Sequence, residues 1–208
     1  MPSRAYHEAL WSSLKEGLEP VDFSLRREFL LGRVGPGERV LDVGCGEGRF
    51  AAELQCAGVS VVGIDVAEQP LARARALYPR LELRLVEAEG SWDLEDASFD
   101  VVWAGEVIEH VADTAAWLSE LRRVLRSGGR LLLSTPAHGP LTRAHLALSE
   151  RAFGERFHPL GEHLRFYTAS TLNRLLESFG FEQVEVRSAG GRPGARRLLL
   201  AEAVRSRF

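Results

Sequence analysis

Five short apolar runs punctuate the first two thirds of the chain: RVLDV at 39–43, SVVGI at 60–64, LELRLV at 81–86, FDVVW at 99–103 and RLLLS at 130–134. Each is rich in Val, Ile or Leu and bounded by glycine, proline or charge, which predicts short strands, SVVGI buried and LELRLV alternating. Between them, residues of about 49–56, 70–78 and 114–125 carry helical spacing, the last closed by Ser127-Gly128-Gly129. Residues 6–34 also read as helical, with Leu10, Leu14 and Leu18 on one face and Phe29, Leu30 and Val34 extending the signal to the Gly35-Pro36-Gly37 break. Later, 168–179 predicts a helix capped by Thr168, burying Leu172, Leu175 and Leu176 and stopped by Gly180. Two final strands, 182–186 and 198–204, flank the turn-rich AGGRPGAR, which suits a hairpin.

Apolar strands alternating with helices define an α/β fold with helices on both faces of a mostly parallel sheet. Right-handed crossovers bring the strand ends and their loops to one edge. Residues 136–165 lack clear periodicity and read as an inserted lid, while 1–34 form an N-terminal helical cover. The whole, 1–208, is expected to be one domain.

Composition narrows the function. A net charge of −3 provides no basic field to recruit nucleic acid. Two cysteines, Cys45 and Cys56, are too few for a disulfide framework, and the start lacks a signal-like apolar core. No apolar stretch is long enough to span a bilayer. These features predict a cytoplasmic protein, a monomer or homodimer, with no membrane partner.

Chemistry concentrates in VLDVGCGEG, residues 40–48, where Gly44, Gly46 and Gly48 fall at every second position as a strand turns into a helix. Glycine there admits unusual dihedrals and lets a ligand touch the main chain; a bare structural turn is the plainer alternative. A dinucleotide loop would read G-x-G-x-x-G with an acid about 20 residues on. Asp65 fits that acid, but Arg49 stands where the third glycine belongs. Asp42, Glu47, Glu87 and Glu89 surround the loop with negative charge, which repels a pyrophosphate and attracts a cationic ligand.

VLDVGCGEG, VVGID, VEAEGSWDLEDASFDVVW and RVLRSGGRLLLSTP, in this order, resemble successive motifs of the class I S-adenosylmethionine-dependent methyltransferases. The resemblance runs from about residue 27 to the C-terminus. It implies a Rossmann-like sheet of seven strands ending in an antiparallel hairpin. It also implies S-adenosyl-L-methionine as cofactor, with S-adenosyl-L-homocysteine as product. By that resemblance Asp42 lies near the methionine amino group, and Gly44, Cys45 and Gly46 form the backbone cradle, with Cys45 a small filler. Asp65 binds the ribose hydroxyls, with Val66 beside the adenine. Glu89, Gly90 and Ser91 meet the adenine edge, Trp92 packs nearby, and Gly105 lies near the methionine carboxylate. Glu89 stands where many relatives have aspartate.

A second constellation, GEVIEHV at 105–111, follows the fourth strand. If helical, it places Glu106, Glu109 and His110 on one face. One reading makes His110 a general base for the acceptor, oriented by glutamate. Another, resembling the metal site of small-RNA 2′-O-methyltransferases, gathers the three with His158 or His163 around a divalent metal. A third leaves Glu109 and His110 to shape the loop. The base is the favoured functional reading and a metal the less favoured. Tyr6 and Trp11 lie on a helix that relatives use to cover the acceptor, with core packing the plain alternative.

The reading is therefore a methyltransferase acting on an oxygen, less readily a nitrogen, of a small-molecule acceptor. An RNA or tRNA methyltransferase, a catalytically silent cofactor-binding protein and a nicotinamide oxidoreductase are the alternatives.

Overall fold

In the computed structural model, which describes residues 4–88, 90–158, 161, 163–193 and 195–207, the apolar runs become the strands of one sheet. They are β1 (Arg39–Val43), β2 (Ser60–Asp65), β3 (Glu82–Leu85), β4 (Phe99–Gly105), β5 (Leu125–Pro136), β6 (Phe181–Ala189) and β7 (Leu198–Arg205). Their spatial order is β3-β2-β1-β4-β5-β7-β6. Strands β1 to β5 pair in parallel, and β7 runs antiparallel to both its neighbours. The order reverses between β1 and β4, so a crevice opens beyond their carboxyl ends.

The helices are α1 (Arg4–Ser13), α2 (Phe23–Leu31), α3 (Arg49–Cys56), α4 (Glu68–Leu77), α5 (Thr114–Val124), α6 (Pro140–Leu148), α7 (Glu150–Arg156) and α8 (Ala169–Ser178). Strand alternation divides the core between the two faces. Leu41, Val43, Val102, Ala104, Leu131 and Leu133 pack with Leu118, Leu121, Leu172 and Leu176 of α5 and α8. On the other face, Val40, Val101, Trp103 and Leu132 pack with Phe29, Leu30, Phe50 and Leu54 of α2 and α3. That parity turns Asp42 toward α2 and α3.

Three expectations are corrected. The single helix over 6–34 is two, because Gly17 adopts φ 71° and Pro20 lacks an amide donor. Ser127-Gly128-Gly129 does not close α5: β5 starts at Leu125, and the glycines fall within that strand at an irregularity in its pairing with β4. The segment 136–165 contains α6 and α7, which pack on each other. Among the described residues no helix is long and apolar enough to cross a membrane.

Candidate functional site

The glycine loop follows β1 directly. Gly44 and Cys45 donate their amides to the Ile64 carbonyl at 2.8 and 3.0 Å, which bends the loop against the end of β2. Asp65, the last residue of β2, then accepts from the Gly46 amide at 2.9 Å and from the Ala67 amide at 3.0 Å. One carboxylate so ties the loop to the turn before α4. Burial raises its pKa, and those amide bonds pull it back. Gly44 holds φ 67°, and a Cβ on it would stand 2.6 Å from Val107 Cγ2.

Beside this loop lies a cleft of about 230 Å³ at the carboxyl ends of β1, β2 and β4. Gly44, Asp65 and Val66 line one part of it, and Glu106 and His110 another. Trp92 and Trp117 add apolar lining, as do Leu10 and Trp11 of α1, beside His7.

The remaining residues singled out in the sequence sit behind this surface. Asp42 is buried, with one carboxylate oxygen unpartnered, and burial, reinforced by Asp65, pushes its pKa up to about 8. Cys45 is buried with its sulfur packed toward Gly63 of β2, where a Cβ would meet Sγ at 3.0 Å. Gly46 is capped by the Trp11 ring, 2.9 Å from where its Cβ would be. Gly90, Ser91 and Gly105 do not line the cleft. The expected adenine contact, Glu89, lies outside the described residues.

GEVIEHV is not a helix. Glu106 adopts φ 60° and the His110 amide closes a tight turn on the Val107 carbonyl at 2.9 Å. The turn still brings the three side chains together, by a different route. Glu106 reaches the cleft and accepts from Ser134 Oγ at 2.9 Å. Glu109 points inward: it is 1% exposed, and Oε2 accepts from Thr135 Oγ1 at 2.9 Å. Its carbonyl accepts from the Leu164 and Arg165 amides at 2.7 and 3.2 Å, anchoring the segment that returns from α7. Burial, then the Glu106 charge, pushes the Glu109 pKa up to about 8. His110 Nε2 lies 3.9 Å from Glu109 Oε1. His163 stands edge-on to His110 at 4.9 Å, and burial lowers its pKa to about 4. Ligand atoms of Glu109, His110 and His163 all fall within 4.8 Å of one another, a spacing that could hold a metal ion.

The expected carboxylate rim is present in part: Glu87 lines the cleft with Asp65 and Glu106, whereas Asp42 and Glu47 do not. Glu47 turns away from the cleft, pairs with Arg73 at 3.0 Å and accepts from the Gly17 amide at 2.9 Å, so its charge is spent on the scaffold. Arg26 is the residue that sequence reasoning missed. It is 3% exposed, its Nε has no partner, and its charge bears on Glu106, Glu109, Asp22 and Asp42. The signal for it, an arginine on the core side of an amphipathic helix, is too common to single out.

This geometry agrees with the comparisons. A family model described as a methyltransferase domain matches residues 19–186, and the chain belongs to that family, the class I S-adenosylmethionine-dependent methyltransferases. A protein of Mycolicibacterium smegmatis named "Probable S-adenosylmethionine-dependent methyltransferase" is 40% identical over 150 residues, 70% of this chain and 52% of that protein. A ubiquinone biosynthesis O-methyltransferase of Dinoroseobacter shibae is 37% identical over 155 residues, 72% of this chain and 62% of that one. The chain thus spans between about half and two thirds of these relatives' length. Among solved structures, an S-adenosylmethionine-dependent methyltransferase of Mesorhizobium loti shares the fold with a TM-score of 0.67 at 23% identity, covering 91% of this chain and 99% of that one.

Proposed function

We propose that this protein transfers the methyl group of S-adenosyl-L-methionine to an oxygen, less readily a nitrogen, of a small-molecule acceptor. The observation that carries this reading is one cleft lined both by Gly44 and Asp65 and by Glu106 and His110. Relatives named ubiquinone biosynthesis O-methyltransferases favour oxygen and a small acceptor.

In this reading Asp65 takes the ribose hydroxyls, Val66 and Trp92 flank the adenine, and Gly44 lets the backbone approach the methionine portion. Asp42, Cys45 and Gly46 shape the loop from behind, Gly90, Ser91 and Gly105 stand back from the cleft, and Glu89 keeps the adenine contact that the resemblance implies. Arg26, the one buried arginine among the described residues, offsets the charge of Glu106, Glu109 and Asp42 behind the cleft.

When bound, the cofactor supplies a methyl carbon already activated by its sulfonium. The protein's share is alignment of the acceptor with that carbon, worth several kcal/mol of the barrier, and removal of the acceptor's proton. His110 lines the cleft and takes that proton at a ring nitrogen, with the Glu109 carboxyl, fixed by Thr135, 3.9 Å from Nε2. Glu106, also at the cleft, accepts a hydrogen bond from the acceptor.

The Glu109–His110–His163 spacing favours a second reading of the proton step: these residues would hold a divalent metal, which would supply Lewis acidity toward the acceptor hydroxyl. Chelation decides between the two: activity persisting in metal-free protein leaves His110 as base, and loss restored by added metal assigns the cluster to an ion. The function itself is tested by calorimetric titration with S-adenosyl-L-methionine, S-adenosyl-L-homocysteine and NAD(P)H. Labelling of cell extract with radioactive cofactor and mass analysis of the product follows. Binding to the nicotinamide nucleotides alone would overturn it.

A further inference from the structure

Helix α1 contains no buried residue, although His7, Leu10 and Trp11 line the cleft. Ten residues are too few to hold a helix in water unaided, so α1 is kept in place by its contacts. Besides Leu10 and Trp11, those contacts are polar, and they converge on the loops of the cleft. Glu8 is at their centre. The N-cap position of α4 is Ala67, which has no side chain to satisfy the first amides of that helix. Glu8 takes over from another element: Oε1 accepts from the Glu68 amide at 2.6 Å and Oε2 from the Gln69 amide at 3.1 Å. Two orphan donors are satisfied, and a negative charge meets the positive end of the helix.

The same helix holds on at both ends. Arg4 donates to the Val66 carbonyl at 3.3 Å and to Glu87 at 2.7 Å, next to the proposed adenine strip. At the other end Arg73 donates to the Trp11 carbonyl at 3.2 Å while pairing with Glu47 of the glycine loop. Trp11 itself covers Gly46. A short helix with no fully buried residue, held by these hydrogen bonds and by the half-buried Leu10 and Trp11, lies toward the low-stability end of a fold, where local opening is easy.

We propose that α1 is a door on the cofactor site: Glu8 latches it to the start of α4, the docked helix holds His7 and Trp11 over the bound cofactor, and cofactor exchange requires its release. The inference rests on the reading that this cleft takes S-adenosyl-L-methionine. It moves α1 from covering the acceptor to controlling the residence time of the cofactor and its demethylated product. A closed door slows entry and exit together, so its signature lies in rates more than in affinity.

Stopped-flow tryptophan fluorescence with S-adenosyl-L-homocysteine, on the full chain, tests this. Glu8 lies outside the buried core, so its substitution leaves the fold intact. Glu8→Ala is expected to raise the dissociation rate by about tenfold or more and to speed association as well. Glu8→Gln, which keeps one acceptor oxygen, is expected to restore part of the slow exchange. Hydrogen exchange should show ligand-induced protection over 4–13 in the wild type and its loss in Glu8→Ala. Wild-type protein that binds the ligand, with a Glu8→Ala dissociation rate within about twofold of it, overturns the door alone. Wild-type protein that binds neither the methyl donor nor its product overturns the cofactor reading and the door with it.

Discussion

At the scale of single residues, the site depends on carboxylates that do several things at once. Asp65 clamps the glycine loop through the Gly46 amide and also faces the cleft. Asp65→Ala is therefore expected to weaken cofactor affinity by about 1–3 kcal/mol, measured by calorimetry; unchanged affinity removes it from the ribose. His110 lies in the cleft, with Glu109 beneath it. His110→Ala should lower turnover by about 10²–10⁴ with little change in cofactor affinity, and full activity at every pH excludes the base. Asp65 was legible in the sequence because it ends a strand at a fixed distance after the loop. Arg26 and Glu8 were not, because what matters about each is a partner tens of residues away.

At the scale of elements, local chemistry predicted α8 at both its cap and its buried face, and failed at the end of α5. The expected cap on α8 is present: Thr168 accepts from the Thr171 amide at 3.2 Å and Thr171 Oγ1 accepts in return from the Thr168 amide at 2.9 Å. Leu172 and Leu176 are fully buried, with Leu175 partly so. Thr168→Ala should cost about 1 kcal/mol in denaturant unfolding without changing cofactor binding. GEVIEHV failed as a helix although its letters permit one. The amide of Glu106 is taken by the Ser134 carbonyl of β5 at 2.9 Å, a long-range bond that outweighs local preference.

At the scale of the whole molecule, burying acids beneath an anionic cleft makes stability depend on pH. Asp42 and Glu109 rise from 3.8 and 4.5 to about 8, chiefly through burial. Between those values the folded state keeps protons that the unfolded chain has released, so stability falls as pH rises across that window and levels off above it. The ligand-free protein should melt at a lower temperature at about pH 8 than at about pH 6, and Asp42→Asn should flatten that decline. An equal slope in the variant and the wild type removes Asp42 from the account. His163, lowered from 6.5 to about 4, acts the other way and costs stability as pH falls through that range.

The strands, the terminal hairpin and the position of the glycine loop were determined by the sequence, because hydrophobic period and glycine placement act locally. Which carboxylates face the cleft was decided only by tertiary structure. Alternation along β1 and its packing turned Asp42 toward Arg26, and Arg73 of α4 drew Glu47 out of reach of any ligand. Charge is readable in a chain, but its direction and neutralisation belong to partners that only folding brings near.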